Sequence, residues 1–457
     1  MKVNPYIFRE YDIRGKVGED LTEESANLIG RAYGTLVKRK GGKRVICGRD
    51  GRLSGPVLQN ALIEGITSSG IDVIDIGVTP TPVMYFSLFR IEGLGGGIQV
   101  TGSHNPPEFN GFKICVGKDT IFGREIQRLR EIIEEQDFEK GVGKVTQREV
   151  LEDYLHFLQE NIKLDRPLRV ALDPGNGVCA LTAPEIFRRL GCEVFCLFCE
   201  VDGTFPHHHP DPVVPENLRY LKETVLREGL EVGIGYDGDG DRIGVIDERG
   251  NIIWGDQLLM IFAEDLLKRH PSAKIIAEVK CSRILYRRIE ELGGVPIMWK
   301  TGHSLIKGKM KEEGALLAGE MSGHIFFGDR WFGFDDGVYA SLRLAEILSR
   351  GSKPLSSFLE ELPKMVSTPE IRTPCPDEVK FKVVEDLVKA FKEEGLKVID
   401  VDGARIEFDE GWALVRASNT QPVLVLRFEA ESDVFLKALQ ERVYDALQKT
   451  LKKYGVS

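Results

Sequence analysis

The segment RVICGRDGRLSGPVLQNALIEGITSSGIDVIDI, residues 44–76, decides the fold of this chain. Its apolar residues predict a short buried strand over 44–50, a helix over 56–69 and a second strand over 71–76. Gly70 stands between the helix and the second strand, where a glycine commonly ends a helix. A strand, a helix and a strand of these lengths form a βαβ unit, so we expect two neighbouring parallel strands here.

The same order of strand, helix, glycine and strand occurs twice more. The second copy has strands at 168–173 and 193–199, and the third at 274–279 and 295–299, with helices near 181–190 and at 282–292. Each copy then adds a strand that runs into a polar loop: GGGIQV into TGSHNP, LEVGIGY into DGDGDR, and ALLAG into EMSGH. Ligands of open α/β sheets bind at the carboxyl ends of strands. The chain is therefore predicted to hold three similar α/β domains in series, with mixed or parallel sheets, whose loops share one cleft.

The pattern changes after residue 366. An amphipathic helix over 377–393 precedes four short strands and a closing helix that starts at 432; the strands lie at 397–400, 404–408, 412–416 and 422–429. This order predicts a C-terminal α+β domain, which we expect to be mobile because contacts between domains are usually modest. The predicted domains cover residues 1–150, 151–252, 253–366 and 367–457.

Length and composition exclude several classes of protein. With 457 residues the chain is long enough for three or four domains with several separate cores. Lys and Arg total 61 and Asp and Glu 71, and this net charge of −10 argues against a nucleic-acid backbone as the partner. The longest apolar runs, at 194–199 and 258–263, are far shorter than the roughly 18 residues that suggest a membrane span. The N-terminal stretch is charged and has no apolar core, unlike a signal peptide, so we expect a cytoplasmic protein.

Two motifs look like metal sites but are predicted to have no such role. Eight cysteines are too few for a disulfide framework, and in a cytoplasmic protein they are expected to be reduced. Cys196 and Cys199 have C-x-x-C spacing within an apolar run, and without a second such pair they are predicted to be buried strand thiols rather than zinc ligands. The histidines at 207–209 lie among prolines, so we expect a rigid linker there.

The first polar loop, TGSHNPPEFNGFK at 101–113, contains a candidate nucleophile. Ser103 follows a glycine and precedes His104, and Lys113 is close enough along the chain to offset an anion. A hydroxyl in these surroundings is a candidate for covalent transfer. The alternative is an ordinary turn in which Ser103 and Asn105 bond the nearby backbone.

The second polar loop, DGDGDR at 237–242, is a candidate metal site. Its carboxylates Asp237, Asp239 and Asp241 alternate with glycines and can converge on Mg²⁺, which binds a few carboxylates together with phosphate oxygens. A solvated acidic turn is the weaker alternative, because three packed carboxylates repel one another without a cation. A calcium EF-hand is excluded because Arg242 occupies the position that needs glycine and both flanks read as strands.

The third polar loop, GEMSGH at 319–324, is a candidate for sugar recognition. Glu320 and Ser322 lie two residues apart, so on an extended segment they point to one side and suit neighbouring sugar hydroxyls. The alternative is a glutamate at a strand end that caps backbone amides.

The fourth polar loop, RASNTQP at 416–422, is a candidate phosphate site. A guanidinium, hydroxyls and backbone N–H groups surround one point here, a suitable nest for a phosphate; the side chains belong to Arg416, Ser418, Asn419 and Thr420. Arg427 could add a second charge. The alternative is a polar hairpin turn.

Together these motifs resemble those of the α-D-phosphohexomutase family, most closely its phosphomannomutase/phosphoglucomutase group. Seven motifs occur in the family's order and spacing: YDIRG (11–15), GRDGR (48–52), TGSHNPPEFNGFK (101–113), DGDGDR (237–242), KTGH (300–303), GEMSGH (319–324) and RASNTQP (416–422). The resemblance covers essentially the whole chain. It implies four domains around a central cleft, the last of them a mobile lid.

The resemblance also implies roles for individual residues. Ser103 would be the phosphoserine, and Asp237, Asp239 and Asp241 would bind one Mg²⁺ beside it, with the Ser103 phosphate as a further ligand. Other residues would line the reaction site or bind the substrate: Arg14, His104, Lys113 and His303 at the reaction site, and Tyr11, Arg242, Lys280, Glu320, Ser322, Arg416, Ser418, Asn419, Thr420 and Arg427 at the substrate. His104, Lys113 and His303 are the candidates for moving the proton.

The implied activity is an isomerase reaction that moves phosphate between O1 and O6 of mannose or glucose, through phosphoserine and a hexose 1,6-bisphosphate. Phosphoglucosamine mutases usually carry Ala and Gln where this chain has Gly240 and Met321, which favours the mannose and glucose group. A metal-dependent sugar-phosphate phosphatase and a non-catalytic sugar-phosphate sensor would use similar groups and are the less favoured functions. The sequence leaves open the preferred sugar and the oligomeric state.

Overall fold

The first of four sheets is built from the N-terminal part of the chain. The structure, a computed structural model, describes residues 3–418 and 422–456. The first sheet has the strand order β1-β5-β4-β2-β3-β7, with β6 beside β5. Its elements are β1 Ile13–Lys16, α1 Glu23–Arg39, β2 Arg44–Arg49, α2 Gly55–Ser68, β3 Asp72–Val78, α3 Thr81–Arg90, β4 Gly96–Val100, β5 Phe109–Val116, β6 Asp119–Thr120, α4 Arg124–Glu135 and β7 Val145–Gln147.

The second and third sheets follow along the chain. The second has the order β12-β11-β10-β8-β9, and its elements are α5 Leu151–Asn161, β8 Arg169–Asp173, α6 Ala183–Arg189, β9 Glu193–Cys196, α7 Arg219–Glu228, β10 Val232–Tyr236, β11 Ile243–Asp247 and β12 Ile252–Ile253. The third has the order β14-β13-β15-β16, and its elements are α8 Gly255–Arg269, β13 Lys274–Glu278, α9 Arg283–Glu291, β14 Val295–Trp299, α10 His303–Glu313, β15 Leu317–Gly319, β16 Ile325–Phe327 and α11 Gly337–Ser349.

These three sheets share one plan. In each, a central strand (β2, β8 or β13) has a parallel neighbour on both sides. One of those neighbours (β4, β10 or β15) then pairs with the antiparallel strand that follows it (β5, β11 or β16). The polar loops at 101–108, 237–242 and 320–324 connect these antiparallel pairs. The threefold α/β repeat predicted from 44–76 is confirmed.

The C-terminal part of the chain forms the predicted α+β unit. Its six strands pair only antiparallel, and its elements are β17 Val366–Ser367, β18 Ile371–Pro374, α12 Lys380–Glu393, β19 Lys397–Ile399, β20 Ala404–Glu407, β21 Gly411–Ala417, β22 Val423–Ala430 and α13 Asp433–Lys453. Short 3₁₀ helices occur at Pro5–Ile7, Val178–Leu181, Pro215–Leu218 and Leu355–Phe358. Among the described helices, none is long and apolar enough to cross a membrane.

The first three units have the separate cores that the chain length suggested, and they share a further one. The first unit has its own apolar cluster, with residues such as Ile29 and Phe112, and smaller clusters lie within the second and third units. One continuous apolar cluster joins buried residues from all three, such as Met84, Leu172 and Leu344. At the junction Trp331 stacks on Tyr339 with ring centroids 4.2 Å apart. Long-range contacts of this kind leave no periodic signal in the sequence, so the expectation of separate cores did not include this shared cluster. The C-terminal unit also has a core of its own.

The C-terminal unit contacts the third unit through buried polar groups. The Arg405 guanidinium lies 3.9 Å from the centre of the Trp412 ring and donates to the carbonyls of Val279 and Cys281 at 2.6 and 2.7 Å. Trp412 in turn donates its indole N–H to Glu429 at 2.7 Å. These groups anchor the last sheet to the segment that follows β13.

The prediction of reduced strand thiols at Cys196 and Cys199 was wrong. β9 ends at Cys196, and the chain then turns at Phe198, whose φ is +51°. The turn brings Cys199 back to Cys196, and the two form a disulfide. The apolar run at 194–199 predicts a continuous strand, and nothing in that run indicates the positive φ of Phe198.

Candidate active site

The Ser103 loop, residues 101–108, follows β4 and holds the candidate nucleophile in a turn. Ser103 has φ +51°, is buried, and receives support from the hydroxyl of Thr101, which accepts its N–H at 2.8 Å. The Ser103 Oγ lies 3.1 Å from Asp237 Oδ2 and 3.2 Å from His104 Nδ1. The sequence therefore identified two residues that do lie beside the hydroxyl, in spite of a separation of 134 positions from Asp237.

A buried arginine that was not among the predicted site residues supports this loop. Arg52 pairs with Asp50, and its guanidinium donates to four backbone carbonyls, those of Ser103, Asn105, Pro106 and Phe109, at 2.6–2.9 Å. A Cβ on Gly102 would lie 2.5 Å from the Arg52 Cζ, so glycine is required for this approach. The GRDGR motif at 48–52 was the available signal for both Asp50 and Arg52.

The metal loop, residues 237–242, follows β10 and lies directly against the Ser103 loop. Asp237 Oδ1 accepts three N–H groups of its own loop, from Gly240, Asp241 and Arg242, at 3.0–3.1 Å. Arg242 also pairs with Asp237 Oδ2 at 3.1 Å and with Asp211 at 3.3 Å. A Cβ on Gly238 would lie 2.4 Å from the Ser103 carbonyl oxygen, which shows how closely the two loops pack.

The carboxylates of the metal loop fit a small hard cation. Oxygens of Asp237, Asp239 and Asp241 lie within 4.8 Å of one another. The Oδ1 atoms of Asp239 and Asp241 are buried and have no hydrogen-bond partner among the described residues. Burial and the neighbouring charge of Asp239 raise the pKa of Asp237 to about 7. Two unpaired buried carboxylate oxygens carry a large desolvation penalty that Mg²⁺ would relieve.

Two residues of the first unit hold Asp239 from the side. Lys113 on β5 donates to Asp239 Oδ2 at 2.7 Å and also to Asp241. Burial lowers the pKa of Lys113, but the two carboxylates outweigh it and raise that pKa above its ordinary value. Thr81, at the start of α3, donates its hydroxyl to Asp239 Oδ2 at 2.5 Å and its N–H to the Asp239 carbonyl at 2.8 Å. Thr81 was not predicted, and no motif pointed to it.

Arg14 and Tyr11 lie at the edge of the first sheet, near the Ser103 loop. Arg14 on β1 donates to Asp12 at 2.6 Å and to Asn105 Oδ1 at 3.1 Å. The Tyr11 ring meets the His303 ring edge-on, with centroids 5.6 Å apart. Burial raises the pKa of Tyr11 to about 12, and Arg416 and Glu320 are among the charges that act on it. Tyr11 is therefore surrounded by groups from three units.

The structure adds a histidine pair that was not predicted. His324 Nδ1 lies 2.9 Å from Asp335 Oδ2 and 3.6 Å from Asp241 Oδ1, so it contacts the edge of the metal loop. Its ring stacks on the predicted His303, with centroids 5.5 Å apart. Burial lowers the pKa of His303 well below its ordinary value. His324 closes the GEMSGH motif, which was the available signal, whereas Asp335 had none.

His104, the other predicted histidine, lies beside the nucleophile in a turn and not on a strand. Burial lowers its pKa well below the ordinary value, and the charges of Arg242 and Arg14 act in the same direction. The His104 Nδ1 lies 3.2 Å from the Ser103 Oγ, and the lowered pKa favours the neutral imidazole.

The sugar loop, residues 319–324, is a turn, so the expected extended segment was wrong. Gly323 has φ +90° and donates its N–H to the Glu320 carbonyl at 3.0 Å. Glu320 is buried and accepts the Gly302 N–H at 2.7 Å, which is the capping of a backbone amide that a glutamate at a strand end can provide. Ser322, which is half-buried, belongs to the same turn.

The fourth loop is described in part. Arg416 on β21 pairs with Asp402 at 3.2 Å, and the same carboxylate accepts the Thr301 N–H at 3.0 Å. The Ser418 N–H donates to the Val423 carbonyl at 3.0 Å, as expected for a hairpin. The predicted residues Asn419 and Thr420 lie outside the described residues.

Lys280 and Arg427 bring the third and fourth units together. Lys280 donates to Glu370 at 3.3 Å, and Arg427 donates to the Lys280 carbonyl at 2.7 Å. Arg427 therefore supports the backbone at Lys280. Buried Glu278 ties the surrounding loops together, because it accepts the N–H groups of Lys280 and Met321 and the hydroxyl of Thr301, at 2.8–3.2 Å.

Comparison with known proteins agrees with this arrangement along the whole chain. Models of the four phosphoglucomutase/phosphomannomutase domains match in order: α/β/α domain I over residues 5–140, domain II over 152–250, domain III over 254–366 and the C-terminal domain over 370–446.

Relatives and solved structures agree with the domain matches. The chain is 50% identical to a phosphomannomutase/phosphoglucomutase of Pseudomonas aeruginosa over 95% of this chain and 94% of the other. It is 48% identical to a phosphoglucomutase of Neisseria meningitidis over 95% of both. A crystal structure of a phosphoglucomutase/phosphomannomutase family protein from Burkholderia thailandensis superposes with a TM-score of 0.94, at 46% identity, over 100% of this chain and 99% of the other. This chain belongs to the phosphoglucomutase/phosphomannomutase family.

Proposed function

We propose that this protein is an isomerase that moves a phosphoryl group between O1 and O6 of a hexose phosphate. Ser103 carries the phosphoryl group, and a hexose 1,6-bisphosphate is both the intermediate and the activator that restores phosphoserine. The observation that carries the proposal is the contact of Ser103 Oγ with Asp237 Oδ2 at 3.1 Å, which joins a buried hydroxyl to an acidic loop. The names of the relatives support the same reaction.

The reaction has two balanced halves. In the first, the bond between Ser103 Oγ and phosphorus breaks, and phosphorus bonds to the free hydroxyl of the substrate, whose proton passes to a base while the leaving Ser103 Oγ takes up a proton. The bisphosphate then turns over in the cleft. In the second half Ser103 Oγ gives up its proton and bonds to the other phosphorus of the bisphosphate, whose bond to the sugar oxygen breaks, and that departing oxygen takes up a proton. Phosphoryl transfer depends mainly on positioning and charge neutralisation, the roles proposed for Arg14 and Lys113.

Asp237, Asp239 and Asp241 would hold one Mg²⁺. When bound, the ion would supply charge neutralisation for the transferred phosphoryl group. The protein's own contribution is to fix the carboxylates before a cation arrives, through the loop N–H groups on Asp237 and through Thr81 on Asp239.

We propose His324 as the group that moves the proton. Lys113 is a poor acceptor because two carboxylates bind its ammonium and raise its pKa. Burial lowers the pKa of His104 and that of His303, whereas Asp241 and Asp335 outweigh burial and raise the pKa of His324 from that of an ordinary imidazole. The carboxylate of Asp335 lies 2.9 Å from the Nδ1 of His324 and 3.8 Å from the Nδ1 of His303. A carboxylate on one ring nitrogen orients an imidazole and leaves the other nitrogen for the substrate.

The substrate's non-transferring phosphate would bind Arg416, Ser418, Asn419 and Thr420, with Lys280 nearby and Arg427 behind it. Glu320 and Ser322 would recognise sugar hydroxyls, and Tyr11 and Arg242 complete the lining. This second phosphate site favours a mutase over a phosphatase, because a hydrolase has no need to present both ends of the sugar to one serine. An alanine at Gly240 would place its Cβ 2.5 Å from Cys179 Sγ, which supports the mannose and glucose group over phosphoglucosamine mutases.

Incubation with hexose 1-phosphates tests the proposal. Mannose, glucose and glucosamine 1-phosphates are compared side by side with and without a chelator, and hexose 6-phosphate and inorganic phosphate are both measured. A mutase yields hexose 6-phosphate without free phosphate and stops when Mg²⁺ is removed. Release of free phosphate would indicate a phosphatase, and binding of the sugar phosphate without any product would indicate a sensor. A preference for glucosamine 1-phosphate would indicate a phosphoglucosamine mutase. Intact mass should show one phosphate on the wild type and none on Ser103→Ala.

We also propose domain boundaries at 150/151, 252/253 and 366/367 and a cytoplasmic location for the protein.

A further inference from the structure

The disulfide between Cys196 and Cys199 lies in an accessible place, unlike the other cysteines. β9 is an edge strand of the second sheet, and both half-cystines are half-buried. The remaining six cysteines are buried free thiols, at positions 47, 115, 179, 192, 281 and 375. Reagents in solution therefore reach this pair in preference to the others. We call residues 196–200 the cystine loop.

The cystine loop holds the neighbouring loop after β8 through its backbone. The Phe198 carbonyl accepts the Asn176 N–H at 3.0 Å, and the Glu200 carbonyl accepts the Asn176 side-chain amide at 2.9 Å. Asn176 is buried and has φ +62°, the left-handed conformation, which asparagine adopts more often than most non-glycine residues. The cystine loop supplies the acceptors for both the N–H and the side-chain amide of Asn176.

Histidines 207 and 208, which the sequence suggested were part of a rigid linker, pack on the same loop. The Phe198 ring stacks on His207 with centroids 4.0 Å apart, and His207 Nδ1 lies 2.8 Å from Asn176 Oδ1. His208 pairs with buried Asp173 at 3.0 Å, at the end of β8. These contacts make the cystine loop, the 173–178 loop and the histidines one packed unit.

This packed unit supports the metal loop directly. The Val178 N–H donates to the Gly238 carbonyl at 3.2 Å. A Cβ on Gly177 would lie 2.8 Å from that same oxygen, and one on Gly238 would lie 2.4 Å from the Ser103 carbonyl. The cystine loop is thus linked to the candidate cation site by Asn176, then Gly177 and Val178, then Gly238.

We propose that Cys196 and Cys199 are a reversible thiol–disulfide site whose redox state sets the affinity of the metal loop for a divalent cation. The proposal rests on the cation site of the proposed function. The oxidised pair closes the cystine loop and holds Asn176 under the metal loop. Reduction frees both side chains, loosens this support and weakens the arrangement of the three carboxylates. In a cytoplasm, where stable disulfides are rare, an accessible disulfide is typically transient and regulatory.

The chemistry needs an external dithiol or two molecules of a thiol such as glutathione. A thiolate of the reductant attacks one sulfur of the pair, the S–S bond breaks, and a mixed disulfide forms. A second reductant thiolate then displaces the cysteine. The pair has gained two electrons and two protons, and the reductant leaves as a disulfide. Oxidation reverses these steps.

The test uses the full-length protein poised in glutathione buffers of different oxidised-to-reduced ratio. Free thiols are trapped with an alkylating reagent without denaturation, and intact mass counts the labels. Mn²⁺ binding is measured on the same samples by the loss of its free electron paramagnetic resonance signal. We expect the two labels at 196 and 199 to appear together on reduction, with Mn²⁺ affinity falling about five-fold, an ordinary coupling between two sites.

Two variants separate the steps. In Cys196→Ser/Cys199→Ser the Mn²⁺ affinity should be low and independent of the buffer. In Asn176→Ala the pair should still titrate, while the Mn²⁺ affinity no longer follows it. If the double variant fails to fold, the comparison of oxidised and reduced wild type decides.

Absence of the disulfide at every ratio overturns the site, and a disulfide that forms without any change in Mn²⁺ affinity overturns its coupling to the metal loop. A protein that shows redox-dependent Mn²⁺ binding without mutase activity would contradict the proposed function and leave this inference standing.

Discussion

The nucleophile side and the recognition side of the site are held together in different ways. The nucleophile side comprises the Ser103 loop and the metal loop. Its charged groups are buried and have several fixed partners: Asp237 accepts three backbone N–H groups, and Arg52 donates to four carbonyls. Most of their contacts are made within the chain, and the Oδ1 atoms of Asp239 and Asp241 are left for a cation.

The recognition side comprises Lys280, Glu320 and Arg416. Among the described residues, Lys280 pairs with the single carboxylate of Glu370, and Arg416 with that of Asp402. A phosphate can replace a single carboxylate partner, whereas it cannot replace a network of backbone groups. The difference indicates that the nucleophile side is preorganised, whereas Lys280 and Arg416 can exchange a carboxylate partner for a phosphate of the substrate. A bisphosphate that reorients in the cleft requires such exchangeable contacts.

His324 joins the two sides, and its loss should have the largest effect on turnover. In His324→Gln the proton transfer is removed, and kcat should fall by about 10²–10⁴-fold, the usual contribution of a general acid or base, with little change in KM. Steady-state kinetics measures the split. Asp335→Asn should show a smaller loss of kcat, because the ring remains but is no longer oriented. A rise in KM alone would assign His324 to the recognition side.

Arg52→Ala should destabilise the fold around the Ser103 loop. Asp50 would keep a buried charge without its partner, and the four carbonyls would lose their donor. We expect about 3–5 kcal/mol of lost stability in urea unfolding, the usual result of breaking a buried pair. Arg52→Lys should not restore it, because an ammonium cannot bridge four carbonyls. Unchanged stability would mean that this loop does not need its support.

Arg416→Ala tests whether recognition is exchangeable. Removal of one charge-assisted contact to phosphate should raise KM about 30-fold, equivalent to ~2 kcal/mol. Arg442→Ala is the matched control, since Arg442 pairs with Glu394 on the surface of the same unit. A fall in kcat with constant KM would place Arg416 with the chemistry.

Thr81→Val tests whether the hydroxyl that holds Asp239 contributes to cation binding by the metal loop. The substitution keeps the shape of the side chain and removes the hydroxyl that binds Asp239. Loss of a group that orients a metal ligand should weaken Mg²⁺ binding about ten-fold in isothermal titration calorimetry. Thr81→Ser retains the hydroxyl and should bind nearly as the wild type does. Equal Mg²⁺ affinities for the wild type and both variants would show that Thr81 does not contribute to cation binding.

His208→Gln should have the smallest effect, and that effect should depend on pH. Burial lowers the pKa of His208, but the hydrogen bond and charge of Asp173 outweigh it and raise that pKa above the ordinary value. The stabilisation is therefore complete below about pH 6.5, the ordinary pKa of histidine, and is lost as the pH rises through the folded-state pKa. Thermal melts should show a difference from wild type that shrinks with rising pH. Exposed His156 provides the control, and a constant difference would contradict the assignment.

The fold was largely predictable from the sequence because its signals are local. The periodicity of 44–76 and its two repeats predicted the three α/β units, and motif residues such as Ser103 and Asp237 follow strand ends where ligands bind. The supporting residues could not be predicted, since their roles come from contacts between distant segments. Thr81 and Asp239 are 158 positions apart, and Asp335 carries no motif. The disulfide was missed because the turn at Phe198 interrupts an apolar run that predicts a strand.

The shared apolar cluster has a consequence for how such a chain could arise and be rearranged. Repeated units that begin as independent copies can be separated again only while no apolar surface joins them. Here residues such as Met84, Leu172 and Leu344 complete one another's packing, so a single unit cut from the chain would expose them to water. The fourth unit contributes no buried residue to this cluster, so it is the piece that could be exchanged between relatives if its contacts at Arg405 and Trp412 were carried along. In this molecule the three similar units keep interiors of their own, and the cluster that they share makes them inseparable.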